Sequence, residues 1–238
     1  TVENNSKKEE SVALSIDLSV QSHVETVLNE WKKRMNAKAG SVIIMDIRSG
    51  EILALASSPD YNPNKKRIFG PDNEETNKYF NRAIQGVYEM GSTFKIFSVA
   101  QGLEENIFDL DSLIKTEAFF VGAKKFKDKV RFDPKVTVRE IIVRSSNVGS
   151  ARIALQLGKD NQKKILNKLG LLDPVPFELQ EARMTKPLKP ENWKDLTLAT
   201  VSFGHSISVS LLHLARAYSI LTNGGFDVKP TILKQINT

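Results

Sequence analysis

Gly91-Ser92-Thr93-Phe94-Lys95 sets a hydroxyl and an amine three residues apart. If a helix begins at Ser92, both side chains face the same way, because residues three apart are neighbours on a helix surface. The residues that follow predict that helix independently of any chemistry. Phe94, Ile96, Phe97, Val99, Ala100 and Leu103 form an apolar set wide enough to bury most of it. A first-turn N–H lacks an intrahelical partner and can donate to an anion forming beside it. A buried lysine gives up its proton more readily, since desolvation disfavours the ammonium form. Ser92 and Lys95 are therefore a candidate nucleophile and base. The spacing alone does not decide this, because a serine can merely cap a helix and a lysine can merely lie on its surface. The chain carries its own control: Ser112-Leu113-Ile114-Lys115 has the same spacing, follows Asp111 and reads as a solvated turn.

Upstream of this stretch, residues 1–11 are charged and read as a tail or linker. Ala13 to Leu18 alternates like a short strand. Val24, Val27, Leu28, Trp31 and Met35 then follow a helical stripe, with Asp17 or Ser19 as N-cap. Ser41 to Ile47 and Glu51 to Ser57 are β-rich runs joined by Arg48-Ser49-Gly50, which predicts an antiparallel hairpin. Pro59 to about Lys78 reads as a polar loop.

Downstream of Leu103 the chain reads as mostly helical, with a less regular lysine-rich piece from Gly122 to Lys129. Thr137-Val138-Arg139-Glu140 has capping-box form and predicts a short helix ending near Ser145. Further helices are expected over Val148 to Leu157, with Gly158 as stop, and from about Gln162 to Leu169 before Gly170. Pro174, Pro176, Pro187 and Pro190 mark a long connection. The last helix carries Leu211, Leu212, Leu214, Ala215, Ala217 and Leu221 and ends at Asn223-Gly224-Gly225, and Val228 to Ile236 reads as the start of another strand. This order predicts an α+β fold, with a sheet part over about 12–60 and a mostly helical lobe over about 80–225.

Composition narrows the function classes. At 238 residues and 40% hydrophobic content the chain can bury a substantial core. The net charge of +6 is modest, and the lysine pairs are scattered among acids, so solvated faces are expected rather than a nucleic-acid site. No apolar run approaches the ~18 residues of a membrane span, and the polar start has no signal-peptide core, so the chain as given reads as soluble. With no cysteine there is no disulfide framework, thiol catalysis or thiolate metal site. His23, His205 and His213 lack the spacing of a helical zinc pair, so neither a metal nor a cofactor is expected.

Ser145-Ser146-Asn147 lies downstream of Ser92 at an expected helix exit, where its side chains can project into a cleft. Taken alone it is a helix-ending Ser/Asn turn. Ser-x-x-Lys followed by Ser-x-Asn, however, resembles the active-site set of the penicillin-recognising serine acyltransferases. Leu14-Ser15-Ile16-Asp17, Gly50-Glu51-Ile52-Leu53-Ala54, Asn81-Arg82-Ala83, Tyr88 to Lys95, Ser145 to Gly149 and Phe203-Gly204-His205 extend the likeness. All look like the transpeptidase domains of class B penicillin-binding proteins, and the resemblance runs from about residue 12 to the end. Met90 stands where many members have proline, and Ser206 where glycine is common. No Lys-Thr-Gly or Lys-Ser-Gly occurs, and Lys38-Ala39-Gly40 lies on the wrong side of Ser92.

The resemblance implies a penicillin-binding-protein/β-lactamase-like fold, with 12–238 as the N-terminal part of the domain and the C-terminal strands missing from this chain. It implies acyl transfer on peptidoglycan stem peptides ending in D-Ala-D-Ala, with β-lactams imitating the donor. Ser92 would attack, Lys95 would take its proton, Ser145 would relay a proton to the leaving nitrogen, and Asn147 would hold the substrate amide. The Ser92 N–H would be one oxyanion donor and the absent strand would supply the second, whose loss costs ~3 kcal/mol in the barrier. The chain alone is therefore expected to acylate slowly and to pair through an open strand edge. His205 receives no chemical role. Divisome or elongation-complex proteins are implied as partners, with the bacterial periplasm as location and membrane attachment only through an anchor outside this chain. A class D β-lactamase shares Ser92-Thr93-Phe94-Lys95 but usually has valine where Asn147 stands. A non-enzymatic β-lactam sensor is the other alternative.

Overall fold

The computed structural model describes residues 11–66 and 77–235. The expected N-terminal tail lies outside these except for Ser11, as does the middle of the polar loop expected from Pro59 to Lys78.

Helix α1 (Leu18–Arg34) starts where Asp17 caps it, the carboxylate accepting from the Ser19 and Val20 N–H groups at 2.8 and 3.1 Å. Because that cap starts the helix at Leu18, the strand expected over Ala13 to Leu18 shrinks to one bridge between Leu14 and Leu233. The apolar stripe is buried only at Val24, which packs against Ala54 and Ala56. Trp31 and Met35 are exposed.

The predicted hairpin is present as β1 (Gly40–Met45) antiparallel to β2 (Ile52–Ser58). Its connection is longer than expected and is organised by Asp46, whose carboxylate accepts from the Arg48 and Ser49 N–H groups. The segment expected to form a strand from Val228 makes only single bridges among the described residues: Thr231 with Glu51, and Leu233 with Leu14. Ile236 lies outside those residues.

The chain enters the lobe through a 3₁₀ turn (Gly91–Phe94) that runs directly into α2 (Lys95–Glu104). The lobe is less helical than the sequence suggested. Strand β3 (Leu113–Lys115) pairs with β6 (Lys135–Thr137), and β4 (Phe119–Val121) pairs with β5 (Lys124–Phe126) around Gly122. The lysine-rich piece is therefore half of a ribbon. Lys124 and Lys125 are exposed, while Phe126 buries itself against Phe119, Val148, Ala151 and Ala199.

Helix α3 (Val138–Val143) begins at the predicted capping box, with Thr137 and Glu140 bonded reciprocally. The two helices expected next form one run, α4 (Asn147–Lys168), broken in φ/ψ at Gly158 (φ 76°, ψ 169°). Short helices α5 (Gln180–Met184) and α6 (Asp195–Val201) interrupt the proline-marked connection, and α7 (Leu211–Thr222) follows as expected.

Helix α2 is the element shared by the cores. Phe94 and Phe97 join Ile165, Leu166, Ile207, Val209 and Ile220 in one cluster, while Val99 joins Ile141, Ile153 and Leu157 in another. Burial on both sides fixes the rotation of α2 and with it the direction of Lys95.

Candidate active site

Five residue pairs, joined through backbone and side chain, hold the turn that carries Ser92. Tyr88 and Val209 exchange N–H···O bonds at 3.0 Å, and the Gly91 N–H donates to the Gly204 carbonyl at 3.2 Å. The Glu89 carboxylate accepts from the Ser206 N–H at 2.6 Å and pairs with His205 Nδ1 at 2.9 Å. These contacts hold the Glu89 carboxyl below its ordinary range, the Ser206 bond being the main cause. Below the turn, the Tyr218 hydroxyl donates to the Thr93 carbonyl at 2.8 Å. Gly204 sits at φ 75°, and a Cβ there would lie 2.2 Å from the Gly91 oxygen, so only glycine lets the two backbones approach this closely.

Ser92 itself is exposed. Among the described residues its hydroxyl has no hydrogen-bond partner, and no acceptor meets its N–H, as expected at the head of a helical turn. The 3₁₀ geometry differs from the α-helix expected at Ser92 but preserves the relation to Lys95, since side chains at i and i+3 eclipse in that geometry.

Lys95 is only 3% exposed. Its Nζ donates to the Ser145 carbonyl at 2.6 Å and to the Ser145 Oγ at 2.7 Å. Desolvation by burial pulls its pKa from 10.5 down to about 8, against an opposing pull from the Asp128 carboxylate. At pH 7 about one such amine in ten is then neutral, against roughly three in ten thousand for an ordinary lysine.

Ser145 sits between α3 and α4 with φ at 59°, in the left-handed region where a serine is strained. This turn aims both of its oxygens at Lys95. Asn147 does not lie on a helix exit as expected but is the first residue of α4, with Ser146 as N-cap. Among the described residues the Asn147 side-chain amide makes no hydrogen bond, so its donor and acceptor remain available.

Lys95 and Ser145 are therefore bonded to each other, with Ser92 one turn before Lys95 and Asn147 beginning the adjoining helix. The sequence reading missed Asp128, which reaches this group from the loop after β5. Its Oδ2 accepts from Ser146 Oγ at 2.6 Å, and its Oδ1 accepts from the N–H groups of Asn147 at 2.6 Å and Val148 at 3.2 Å. The only available signal was an acid standing alone in Lys124-Lys125-Phe126-Lys127-Asp128-Lys129. Glu89, Gly204, His205 and Tyr218 were also missed as supports, since their contacts join segments far apart in the chain.

The arrangement can generate an alkoxide at a helix head beside a partly neutral amine, with a hydroxyl placed to pass a proton onward. Among the described residues no group of three or more His, Cys, Asp or Glu side chains could hold a metal ion, and no helix is long and apolar enough to cross a membrane.

Residues 40–238 match the family model of the penicillin binding protein transpeptidase domain. The probable peptidoglycan D,D-transpeptidase FtsI of Caulobacter vibrioides is 35% identical over 224 residues, covering 94% of this chain and 37% of that protein. The peptidoglycan D,D-transpeptidase FtsI of Escherichia coli is 32% identical, covering 90% of this chain and 36% of that protein. The chain thus spans well under half the length of these relatives. Among solved structures, the transpeptidase domain of Burkholderia pseudomallei penicillin-binding protein 3 superposes with a TM-score of 0.81 at 28% identity, covering 94% of this chain and 62% of that one. A Burkholderia ambifaria protein described as a peptidoglycan glycosyltransferase superposes with a TM-score of 0.82 at 29% identity, covering 94% of this chain and 66% of that one. With the α+β fold shared with these structures and the family model covering residues 40–238, the chain belongs to the penicillin-binding-protein transpeptidase domain family, among its class B members.

Proposed function

We propose that the protein containing this chain is a serine D,D-transpeptidase that cross-links peptidoglycan stem peptides through an acyl-enzyme on Ser92, and that residues 12–238 form part of its transpeptidase domain. The observation that carries this reading is the pair of contacts from Lys95 Nζ to Ser145, made by a buried amine one turn from an unpartnered serine hydroxyl. Ser92 Oγ attacks the carbonyl of the penultimate D-alanine and Lys95, in its neutral form, takes the proton. The tetrahedral oxyanion receives a hydrogen bond from the Ser92 N–H. Ser145 passes a proton to the leaving nitrogen as the terminal D-alanine departs. An amine of a second stem peptide then attacks the ester, and Ser92 regains its proton. Asn147 holds the donor peptide by its side-chain amide.

The same chemistry makes β-lactams covalent inhibitors, because the opened ring stays on Ser92 and no amine is released. Work on cell-wall peptides outside the cytoplasm, in the periplasm and beside divisome or elongation-complex proteins, follows from this substrate. Mass spectrometry of the complete protein treated with penicillin tests the reading. One penicilloyl adduct is expected on Ser92, and none in Ser92→Ala. An adduct that survives Ser92→Ala overturns the nucleophile, and rapid turnover without a lasting adduct moves the protein to the β-lactamases.

A further inference from the structure

We propose that Asp128 is a positioning residue of this site: it holds Ser146 and Asn147 at the head of α4, beside the Ser145 that receives the Lys95 amine, so one side chain governs both the substrate-holding and the proton-taking groups. This rests on the acyl-transfer reading of Ser92 and Lys95.

The placement of Asp128 follows from the ribbon before it. Phe126, two residues earlier, stacks on Phe119 at 5.4 Å between ring centroids and meets Phe203 edge-on at 6.1 Å. It also packs on Val148 and Ala151 of α4. That anchor pins the loop onto the first turn of α4, so Asp128 arrives with both oxygens facing the start of the helix. The carboxylate then satisfies two backbone donors that α4 cannot pair internally, while Ser146 donates to it and accepts from Gly149 N–H at 2.8 Å. Asn147 is therefore held at its backbone, which leaves its side chain free to face the donor peptide.

The electrostatic role is separable from the capping role. Among the described residues, the Asp128 carboxylate favours the charged form of Lys95, against the desolvation that disfavours it. Three other charged or titratable groups near the site are committed elsewhere. Glu89 is paired with His205 and Ser206, the Tyr218 hydroxyl is bonded to Thr93, and Arg144 reaches the Arg131 carbonyl and Glu140. Asp128 thus keeps the amine from losing its proton too readily. The amine it returns to the reaction is the stronger base for that, at the cost of a smaller neutral fraction near pH 7.

Asp128→Asn and Asp128→Ala, each in the complete protein, separate the two roles. Asn keeps an acceptor for the α4 head but removes the charge, while Ala removes both. The readout is the rate of acylation by a fluorescent penicillin between pH 6 and pH 10, with thermal stability measured alongside. In Asp128→Asn the pH at which acylation reaches half its plateau should fall by about half a unit to one unit. In Asp128→Ala the same fall should come with a plateau rate about tenfold lower, as Asn147 loses its placement. A purely structural cap would lower stability and leave the midpoint where it is, so an unchanged midpoint in both variants overturns the proposal. A Ser92 adduct forming normally in wild type distinguishes that result from failure of the acyl-transfer reading, in which no Ser92 adduct forms at any pH.

Discussion

The chain contains the Ser-x-x-Lys spacing twice, at Ser92 and at Ser112, and folds the two copies differently. The first copy becomes a 3₁₀ turn running into α2, which keeps the two side chains on one face and buries the lysine. The second straddles a turn and strand β3. Ser112 donates to the Asp109 carboxylate at 2.8 Å and accepts from the Asp109 N–H at 3.1 Å, while Lys115 stands exposed at the end of the strand. Successive residues of a strand alternate faces, so a hydroxyl before it and an amine at its end do not meet as they do on a helical turn. Four residues of sequence are therefore not a catalytic pair. The pair is made by what surrounds them, namely two cores that bury α2 and a strained Ser145 that receives the lysine.

Substitutions can break or sharpen this contrast. The largest effect is expected for Lys95→Ala, which should slow acylation about 10²–10⁴-fold by removing the base, whereas Lys115→Ala should leave the rate unchanged. Stopped-flow acylation of folded variants checks both, and equal effects at the two lysines would erase the distinction. In the wild type, acylation should rise with pH through about 8, because the neutral amine is the active form and its proton is lost there. A rate already flat between pH 6 and pH 9 would mean another group takes the proton.

Gly204→Ala comes next. Its Cβ would enter the Gly91 backbone and force a residue with a side chain to φ 75°, so stability should fall by about 1–3 kcal/mol and acylation by roughly tenfold. Urea unfolding and acylation rates measured together would check this. The smallest effect belongs to Tyr218→Phe, which deletes only the bond to the Thr93 carbonyl and should cost about 1 kcal/mol and a few-fold in rate. A loss as large as that of Lys95→Ala would give Tyr218 a part in the chemistry.

Much of the frame was legible where a local pattern and its tertiary use coincide. Asp17, Thr137 with Glu140, and Gly158 each announced a boundary by cap or breaker chemistry, and each boundary is there. The two β-rich runs around Arg48-Ser49-Gly50 disclosed the hairpin, though which face of β2 is buried was not readable in its all-apolar Ile52 to Ala56. What failed were elements too short to show a period. The β4–β5 ribbon has three-residue strands, and α5 and α6 span barely more than a turn. Of the candidate site, Ser92 and Lys95 stood out by their local spacing, whereas Ser145 and Asn147 were singled out only by the resemblance to a known motif set. Asp128, Glu89, Gly204 and Tyr218 were not, since each acts on a residue distant in the chain and nothing beside it in sequence names the partner.

The break at Gly158 has a mechanical consequence for the site. Helix α4 begins at Asn147, proposed to hold the donor peptide, and carries Ile165 and Leu166 into the Phe94 core near its other end, so an unbroken rod would transmit any rotation of its head straight to the packing beneath Ser92. The interruption at φ 76° and ψ 169° separates two halves seated in different cores: residues 147–157 bury Val148, Ala151, Ile153, Ala154 and Leu157, while 159–168 bury Gln162, Ile165 and Leu166. Amide exchange should accordingly divide α4 into two protection groups at Gly158, with the more sparsely buried half, 159–168, loosening first.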